Sequence, residues 1–120
     1  MPFQCADEDG IFIIRAKGVI RIEEVEALGA EEERYFATPG CKGLFLCDFA
    51  ELKVISPDGA DALVGRMKHD NPRVSRSAFV VTEGTTAALQ LTRMIRDAGS
   101  AHRALFVSET QAWAWLRLPS

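Results

Sequence analysis

Four consecutive residues in the middle of the chain combine a hydroxyl group with a carboxylate. They are Ser56, Pro57, Asp58 and Gly59, in the stretch KVISPDGADALVGRM. Serine is a preferred N-cap, proline is favoured at the first helical position, and an acid in the first turn interacts well with the helix dipole. The four residues therefore predict the start of a helix, and they raise the question of whether the same segment is a binding site.

The helix that follows has small residues on its outer side. Ala62, Gly65 and His69 recur at helical spacing away from the apolar stripe, and a glycine inside a helix costs about 1 kcal/mol relative to alanine. Because small side chains let another backbone approach closely, this side of the helix is a candidate docking surface. The predicted partner-binding residues are Ser56, Asp58, Ala62, Gly65, Arg66 and His69.

The segment TEGTT, between a predicted strand and a predicted helix, is a possible anion or ligand loop. Its candidate residues are Thr82, Gly84, Thr85 and Thr86. Free backbone N–H groups and hydroxyls at the start of a helix can bind an anion. Asp48, Glu83 and Glu109 lie at the same ends of the predicted strands and would repel it. Capping of the helix by Thr85 or Thr86 is the favoured interpretation.

Glu32 falls near the centre of the apolar face of the first predicted helix. A buried carboxylate is costly unless it is paired, and burial raises its pKa, so Glu32 is a candidate acid–base residue. More commonly such a residue lies at a frayed helix end or reaches water, and we favour that outcome here.

The remaining reactive residues are not arranged for catalysis or metal binding. His69 and His102 are the only histidines, and neither has a cysteine, histidine or acid at metal-ligand spacing. No serine or cysteine has a GxSxG-like setting, and Cys47 lacks the basic neighbour that would lower the pKa of its thiol. We therefore predict that the protein is not an enzyme and has no metal site and no cofactor.

The composition is that of a soluble globular protein, with a net charge of −3. The acidic total argues against nucleic acid as the main partner. Residues 1–60 carry a net −6 and residues 61–120 a net +3, which permits self-contact, although two differently solvated faces explain the asymmetry more simply. No apolar run reaches 18 residues and no signal pattern opens the chain, so we predict a cytoplasmic protein without membrane insertion, its three cysteines reduced.

Apolar spacing predicts nine elements in the order β-β-α-β-α-β-α-β-α. The predicted strands are PFQCA, IFIIRAKGVI, GLFLCDF, SAFVVT and RALFVS, with DEDG as the first turn. The predicted helices are RIEEVEALGAEEERYF, the segment after Ser56, TTAALQLTRMIRDAG and ETQAWAWLRL. Strands that alternate with helices favour a parallel sheet. We expect one α/β domain over residues 1–120, with a mostly parallel sheet of about five strands, an antiparallel first strand at its edge and four helices.

This pattern resembles the STAS domain of bacterial anti-sigma-factor antagonists and its SEC14-like relatives, especially bacterial members of unassigned function. The resemblance rests on GVIRIEEVEAL, LFLCDFAELKVISPDGADAL and QAWAWL. In the antagonists the loop before the second helix resembles Asp-Ser-Ser-Gly, and its second serine is phosphorylated. Laid on this chain, the phospho-acceptor position is Asp58, while Ser56 stands where the family has its aspartate. An aspartate carries one negative charge where phosphoserine carries about 1.5 to 2.

The resemblance implies a regulatory module that binds a protein partner, either a regulatory kinase-like protein or a second copy as a homodimer. On this interpretation Asp58 holds the surface in one charge state. Two alternatives stay open at the site: the segment only starts the helix, or Ser56 is itself phosphorylated. For the whole protein, the SEC14-like resemblance implies small-molecule or lipid binding as the alternative function.

Overall fold

Strands and helices alternate along residues 3–119, the part of the chain that the computed structural model describes. The strands are β1 (Phe3–Glu8), β2 (Ile11–Ile20), β3 (Leu44–Ile55), β4 (Arg76–Val80) and β5 (Arg103–Phe106). The helices are α1 (Ile22–Phe36), α2 (Pro57–Asp70), α3 (Thr86–Asp97) and α4 (Glu109–Leu116), and a 3₁₀ turn at Asn71–Arg73 follows α2. The predicted order of elements is confirmed. The predicted first strand also included Pro2, which lies outside the described residues.

The five strands form one sheet whose spatial order equals their order in the chain, β1-β2-β3-β4-β5. β1 is antiparallel to β2, and the remaining neighbours are parallel. Asp9 and Gly10 connect the antiparallel pair, with φ of 54° and 79°. Two positive φ angles at an Asp-Gly pair match the twist of the flanking strands. The turn is therefore shorter than the predicted DEDG, because Asp7 and Glu8 belong to β1.

The helices cover the two faces of the sheet unequally. α1, α2 and α3 pack over the larger core, which includes Val25, Leu28, Met67, Leu91 and Met94. α4 covers part of the other face, where its Ala112 and Leu116 pack with Ile13, Leu46 and Ala78 of the sheet. Neighbouring residues of β3 point into different cores, so the strand has no polar side in its first half, as expected for a strand buried on both faces.

β3 is longer than the predicted GLFLCDF. It runs on through AELKVI, where Leu52 and Ile55 are buried. The extension exists because β2 continues beside it, from Lys17 to Ile20, with two register shifts in the ladder. β4 ends its pairing with β3 at Asp48, so the last residues of β3 have a strand neighbour on one side only.

Two sequence predictions concern the cysteines, expected to be reduced, and the helices, expected not to enter a membrane. Cys5, Cys41 and Cys47 are free thiols, the first two half-buried and the third buried. Among the described helices, none combines the length and the apolar character needed to cross a membrane.

Candidate functional site

The amino end of α2 is held by a compact set of hydrogen bonds around Ser56. Ser56 is the N-cap, and its Oγ accepts a hydrogen bond from Gly59 N at 3.2 Å. The same hydroxyl donates to Asp58 Oδ1 at 2.7 Å, and Gly59 N also donates to that oxygen at 2.9 Å. Asp58 is exposed. Its carboxylate is thus displayed to solvent in a defined orientation, in the first turn of the helix.

Gly59 lets the first turn of α2 lie against the start of α1. A Cβ at this position would be 3.3 Å from the carbonyl carbon of Arg21 and 3.4 Å from Ile22 N, so a larger residue would push the two helices apart. The first turn of α1 carries Glu23 and Glu24. Two positive helix ends therefore lie side by side, each with carboxylates in its first turn, and Arg21 is the one cation among these capping and first-turn residues.

Gln90 of α3 fixes the backbone that leads into α2. Its Oε1 accepts a hydrogen bond from Ile55 N at 2.9 Å, and its Nε2 donates to Ile55 O at 2.7 Å. The side-chain amide thereby replaces the strand that β4 does not supply here. On the other side, Ser56 N donates to Ile20 O at 2.8 Å. Sequence analysis missed Gln90, because a glutamine bordering an apolar helix stripe has no pattern that distinguishes it from a solvated one.

Most of the predicted outer face of α2 is where the helical spacing placed it. Asp58, Ala62, Gly65 and His69 are spaced four, three and four residues apart and share one side of the helix. Gly65 and His69 are exposed, and Ala62 is half-buried against the core. A Cβ built on Gly65 would meet nothing within 4 Å, so this side of α2 is open to another molecule.

Arg66, which was predicted to lie on this face, turns toward α1 instead. Its side chain is 26% exposed, and Nη2 lies 3.4 Å from Gly29 O, 3.3 Å from Glu33 Oε1 and 3.4 Å from Asp70 Oδ2. Gly29 makes room for it, since the Arg66 Nε would be 3.2 Å from a Cβ at that position. A long side chain at the border of an exposed stripe can turn either way, and the carboxylates decide its direction here. Arg66 is therefore not available on the outer face.

The carboxyl end of α2 is an ion-pair network rather than an open surface. Asp70 is 3% exposed and accepts a hydrogen bond from Arg73 Nη2 at 2.6 Å. Arg73 also binds Glu33 of α1 through both oxygens, at 2.7 and 2.9 Å. These bonds from Arg73 lower the pKa of Glu33 to about 2. The network ties α1 to α2, which is a structural role.

Glu32 lies on the apolar face of α1, as the sequence predicted, but it does not reach water freely. Its side chain is 16% exposed, and the nearest cation, Arg66 Nη2, is 3.7 Å from Oε1. Burial, and then the negative charge of Asp70, raise the pKa of Glu32 to about 7, although Arg66 and Arg103 oppose the shift. The expectation that this carboxylate would be solvated is wrong, because α2 and β5 close over it.

A small cavity, lined mainly by apolar side chains, lies beside Glu32 and has a volume of about 30 Å³. Its polar lining includes Cys47, Ser77 and Arg103, and the buried Ser77 Oγ has no oxygen or nitrogen partner. A space of this size holds one or two water molecules. Burial raises the pKa of the Cys47 thiol well above its usual range, so Cys47 is not a thiolate nucleophile at neutral pH.

The fold brings two carboxylates to His69 that the sequence spacing did not indicate. Ligand atoms of Glu33, His69 and Asp70 lie within 4.8 Å of one another. Glu33 comes from another helix, which is why spacing along the chain could not show the group. Both carboxylates already bind Arg73, so a metal ion would have to displace the guanidinium. The arrangement fits an ion-pair network better than a metal centre.

The loop before α3 uses its hydroxyls internally. Thr85 is the N-cap of α3, accepting a hydrogen bond from Ala88 N at 3.2 Å and donating to Thr82 O at 2.8 Å. Thr82 in turn donates to Ala50 O at 2.8 Å. Neither hydroxyl proton is left for an anion, so the capping interpretation fits the geometry. Gly84 and Thr86 are exposed, and with Thr85 they line a groove that contains no α2 residue.

No protein-family model and no curated protein matches the sequence. Several solved structures match nearly the whole chain, including the following three. An uncharacterized DUF3478-family protein with a SpoIIAA-like fold from Shewanella loihica PV-4 has a TM-score of 0.71 and 15% identity, over 95% of this chain and 91% of that chain. The Bacillus cell fate determinant SpoIIAA in the phosphorylated form gives 0.67 and 17%, over 96% and 99%. A serine-to-glutamate variant of RsbS from Moorella thermoacetica gives 0.65 and 14%, over 98% and 100%. The chain has the fold of SpoIIAA and the anti-sigma-factor antagonists.

Proposed function

We propose that this chain is a non-catalytic, cytoplasmic regulatory module, acting as one STAS-like domain over residues 1–120. It binds another protein through the amino end and the outer face of α2. The observation that carries the proposal is the exposed Asp58 carboxylate, held by the Ser56 hydroxyl at 2.7 Å in the first turn of α2. A charge fixed on a rigid helix end is suited to recognition, because little side-chain freedom is lost on binding.

In this proposal Asp58 supplies a permanent negative charge, whereas a protein of the same fold gains negative charge by phosphorylation. One structural neighbour is described in a phosphorylated form and another with a serine-to-glutamate substitution, and both changes add negative charge. Phosphorylation of Ser56 is disfavoured, because its hydroxyl already donates to Asp58 and a phosphate there would face that carboxylate. The surface therefore stays in one charge state.

The partner is expected to present a basic surface to this end of the molecule. Asp58 is joined there by Glu23 and Glu24 at the neighbouring start of α1. The outer stripe of Ala62, Gly65 and His69 offers small side chains over which a partner backbone can approach. The resemblance implies a regulatory kinase-like protein as this partner. A second copy of the same chain is the alternative partner.

Binding of a small molecule or lipid, the alternative, has less support. A drug-sized ligand needs a pocket of roughly 300 to 1,000 Å³. The cavity beneath α1 and α2 has a volume of about 30 Å³, and the larger spaces, such as the groove of about 690 Å³ beside Val107, lie open on the surface. Native mass spectrometry of the purified protein tests this alternative, since a retained ligand would appear as a mass increment that is lost on denaturation.

The test of the proposal is exchange of Asp58 for serine and for lysine. Each variant is tagged and purified from the native host, and the co-purified proteins are quantified by mass spectrometry. We expect Asp58→Lys to reduce recovery of the partner at least about tenfold and Asp58→Ser to reduce it less, because lysine adds repulsion from a basic surface.

Asp97→Lys is the matched control, since Asp97 is an exposed aspartate at the far end of α3. Thermal unfolding of all variants confirms that they are folded. Equal recovery of the same proteins by all four forms would contradict the proposal.

A further inference from the structure

The two edges of the sheet differ in how they are protected. An edge strand exposes unpaired backbone groups, and proteins commonly guard it with charges. β1 carries Asp7 and Glu8 and leads into Asp9. At the other edge, Arg103 opens β5, and the four residues that follow are apolar and carry no charge: Ala104, Leu105, Phe106 and Val107. Among residues 3–119, no strand pairs with the outer side of β5.

The free hydrogen-bonding groups of β5 can be assigned from its pairing with β4. His102 O and Phe106 O accept hydrogen bonds from Ser77 N and Val81 N, so alternate residues from 102 to 106 face β4. The N–H and C=O groups of residues 103, 105 and 107 therefore point away from the sheet. The Arg103 side chain is not part of this edge, since Nη2 donates to Met67 O.

Exposed apolar side chains lie next to this edge. Val107 is 65% exposed and Leu89 of α3 is 55% exposed, and both line one groove with Thr92. A neighbouring pair of large apolar side chains is less common on a monomer than an isolated one, and such patches mark association sites. The edge thus offers both unpaired backbone groups and apolar area.

We propose that β5 pairs antiparallel with β5 of a second copy of this chain, around a two-fold axis at Leu105. In this pairing residue 105 lies opposite residue 105 of the second copy, and residue 103 lies opposite residue 107. Each of the three pairs exchanges two N–H···O=C bonds, so about six backbone hydrogen bonds form. No charge opposes itself in this pairing. β1 is the guarded edge by comparison, since it carries the charges of Asp7 and Glu8.

Charge on α3 is compatible with the same two-fold axis. Thr85, Leu89, Thr92 and Arg96 follow helical spacing and share one side of α3, with Glu83 in the groove at its amino end. The two copies of α3 run in opposite directions across the axis. Glu83 of one copy then lies at the same end of the contact as Arg96 of the other copy, so opposite charges are on the two sides of the dimer contact.

The test is the concentration dependence of molar mass in sedimentation equilibrium. The unmodified chain is expected to associate into a dimer, and Val107→Lys to weaken that dimer at least about tenfold, since a charge then replaces the apolar side chain beside the edge. Gln4→Lys is the matched control, because it adds the same charge to the exposed side of the other edge strand. A chain that stays monomeric at millimolar concentration would overturn the proposal, and so would a dimer that Gln4→Lys dissociates and Val107→Lys does not.

Amide hydrogen exchange locates the contact. Protection at Leu105 and Val107 should rise with protein concentration, while Ala104 and Phe106, which already face β4, should not change. Protection that rises equally at all four amides, or only after a foreign peptide is added, would contradict self-pairing. The proposal concerns a surface other than α2, so it stands or fails independently of the Asp58 test.

Discussion

Both ends of α2 carry an aspartate, but the two aspartates differ in burial and in the groups that they bind. At the amino end Asp58 is exposed and bound only to its own turn. At the carboxyl end Asp70 is buried and bound to Arg66 and Arg73, which also reach α1. The carboxylate that joins two helices is enclosed and paired with arginines, whereas the carboxylate that joins no other element faces water.

This difference separates stability from recognition within one helix. Removing a buried, paired charge leaves its partners unsatisfied and costs several kcal/mol. Removing an exposed charge in a first turn costs a few tenths to about 1 kcal/mol. Substitutions at the amino end should therefore alter binding in a molecule that stays folded, and substitutions at the carboxyl end should unfold it first.

The largest expected effect is that of Asp70→Ala. Because it strips Arg66 and Arg73 of their most buried partner, we expect the free energy of unfolding to fall by about 3 to 4 kcal/mol. Urea titration at neutral pH measures it. Asp97→Ala is the control, since the Asp97 pair with Arg96 is exposed at 3.8 Å and should contribute less than about 1 kcal/mol. Equal losses in both variants would remove the distinction between the two ends.

The second largest effect is a pH dependence of the free energy of unfolding that comes from Glu32. Its pKa is raised from 4.5 to about 7, so the folded state holds the proton more tightly than the unfolded chain does. The free energy of unfolding should therefore fall as pH rises from about 4.5 to 7, by up to about 3 kcal/mol. Glu32→Gln should abolish this fall and be the more stable form at pH 8, and parallel pH profiles of the two proteins would show that Glu32 is solvated.

Glu33 acts in a different pH window and with the opposite sign. Its pKa is lowered to about 2, so it stabilises the fold above pH 4.5 and that contribution is lost as pH falls toward 2. The two glutamates can therefore be separated in one set of denaturation curves.

The smallest effect is expected at Ser56. Ser56→Ala removes an N-cap and should cost about 1 kcal/mol. Ser108→Ala removes the N-cap of α4, whose Oγ accepts from Gln111 N at 3.3 Å, and should cost a similar amount. A loss at Ser56 that exceeds the Ser108 loss by 2 kcal/mol or more would show that the amino end of α2 is also part of the stabilising framework.

Much of the fold could be predicted because its signals are local. Alternation of strand and helix patterns gave the element order, and Ile11–Ile20 was predicted with its observed bounds. Ser56 and Pro57 fixed the start of α2, since capping depends on neighbouring residues only. The likeness to the SpoIIAA fold was visible for the same reason, in patterns of apolar spacing rather than in chemical signatures.

What could not be predicted depends on residues far apart in the chain. The direction of Arg66 is decided by carboxylates of α1, and the burial of Glu32 by residues of α2 and β5. Gln90 completes the end of β3 only because β4 stops short. In each case the side chain type was known, but the group it meets comes from another element of the fold.

The sheet has a further consequence for how the chain acquires its structure. Each strand lies beside the one made just before it, so the growing polypeptide can add strands in the order of synthesis, without waiting for a later segment to insert between earlier ones. At every stage the newest strand is the open one. β5 is the last to emerge. We expect ribosome-bound chains truncated after β4 to be already compact and to aggregate through the uncovered β4, and chains that include β5 to lose that exposed strand.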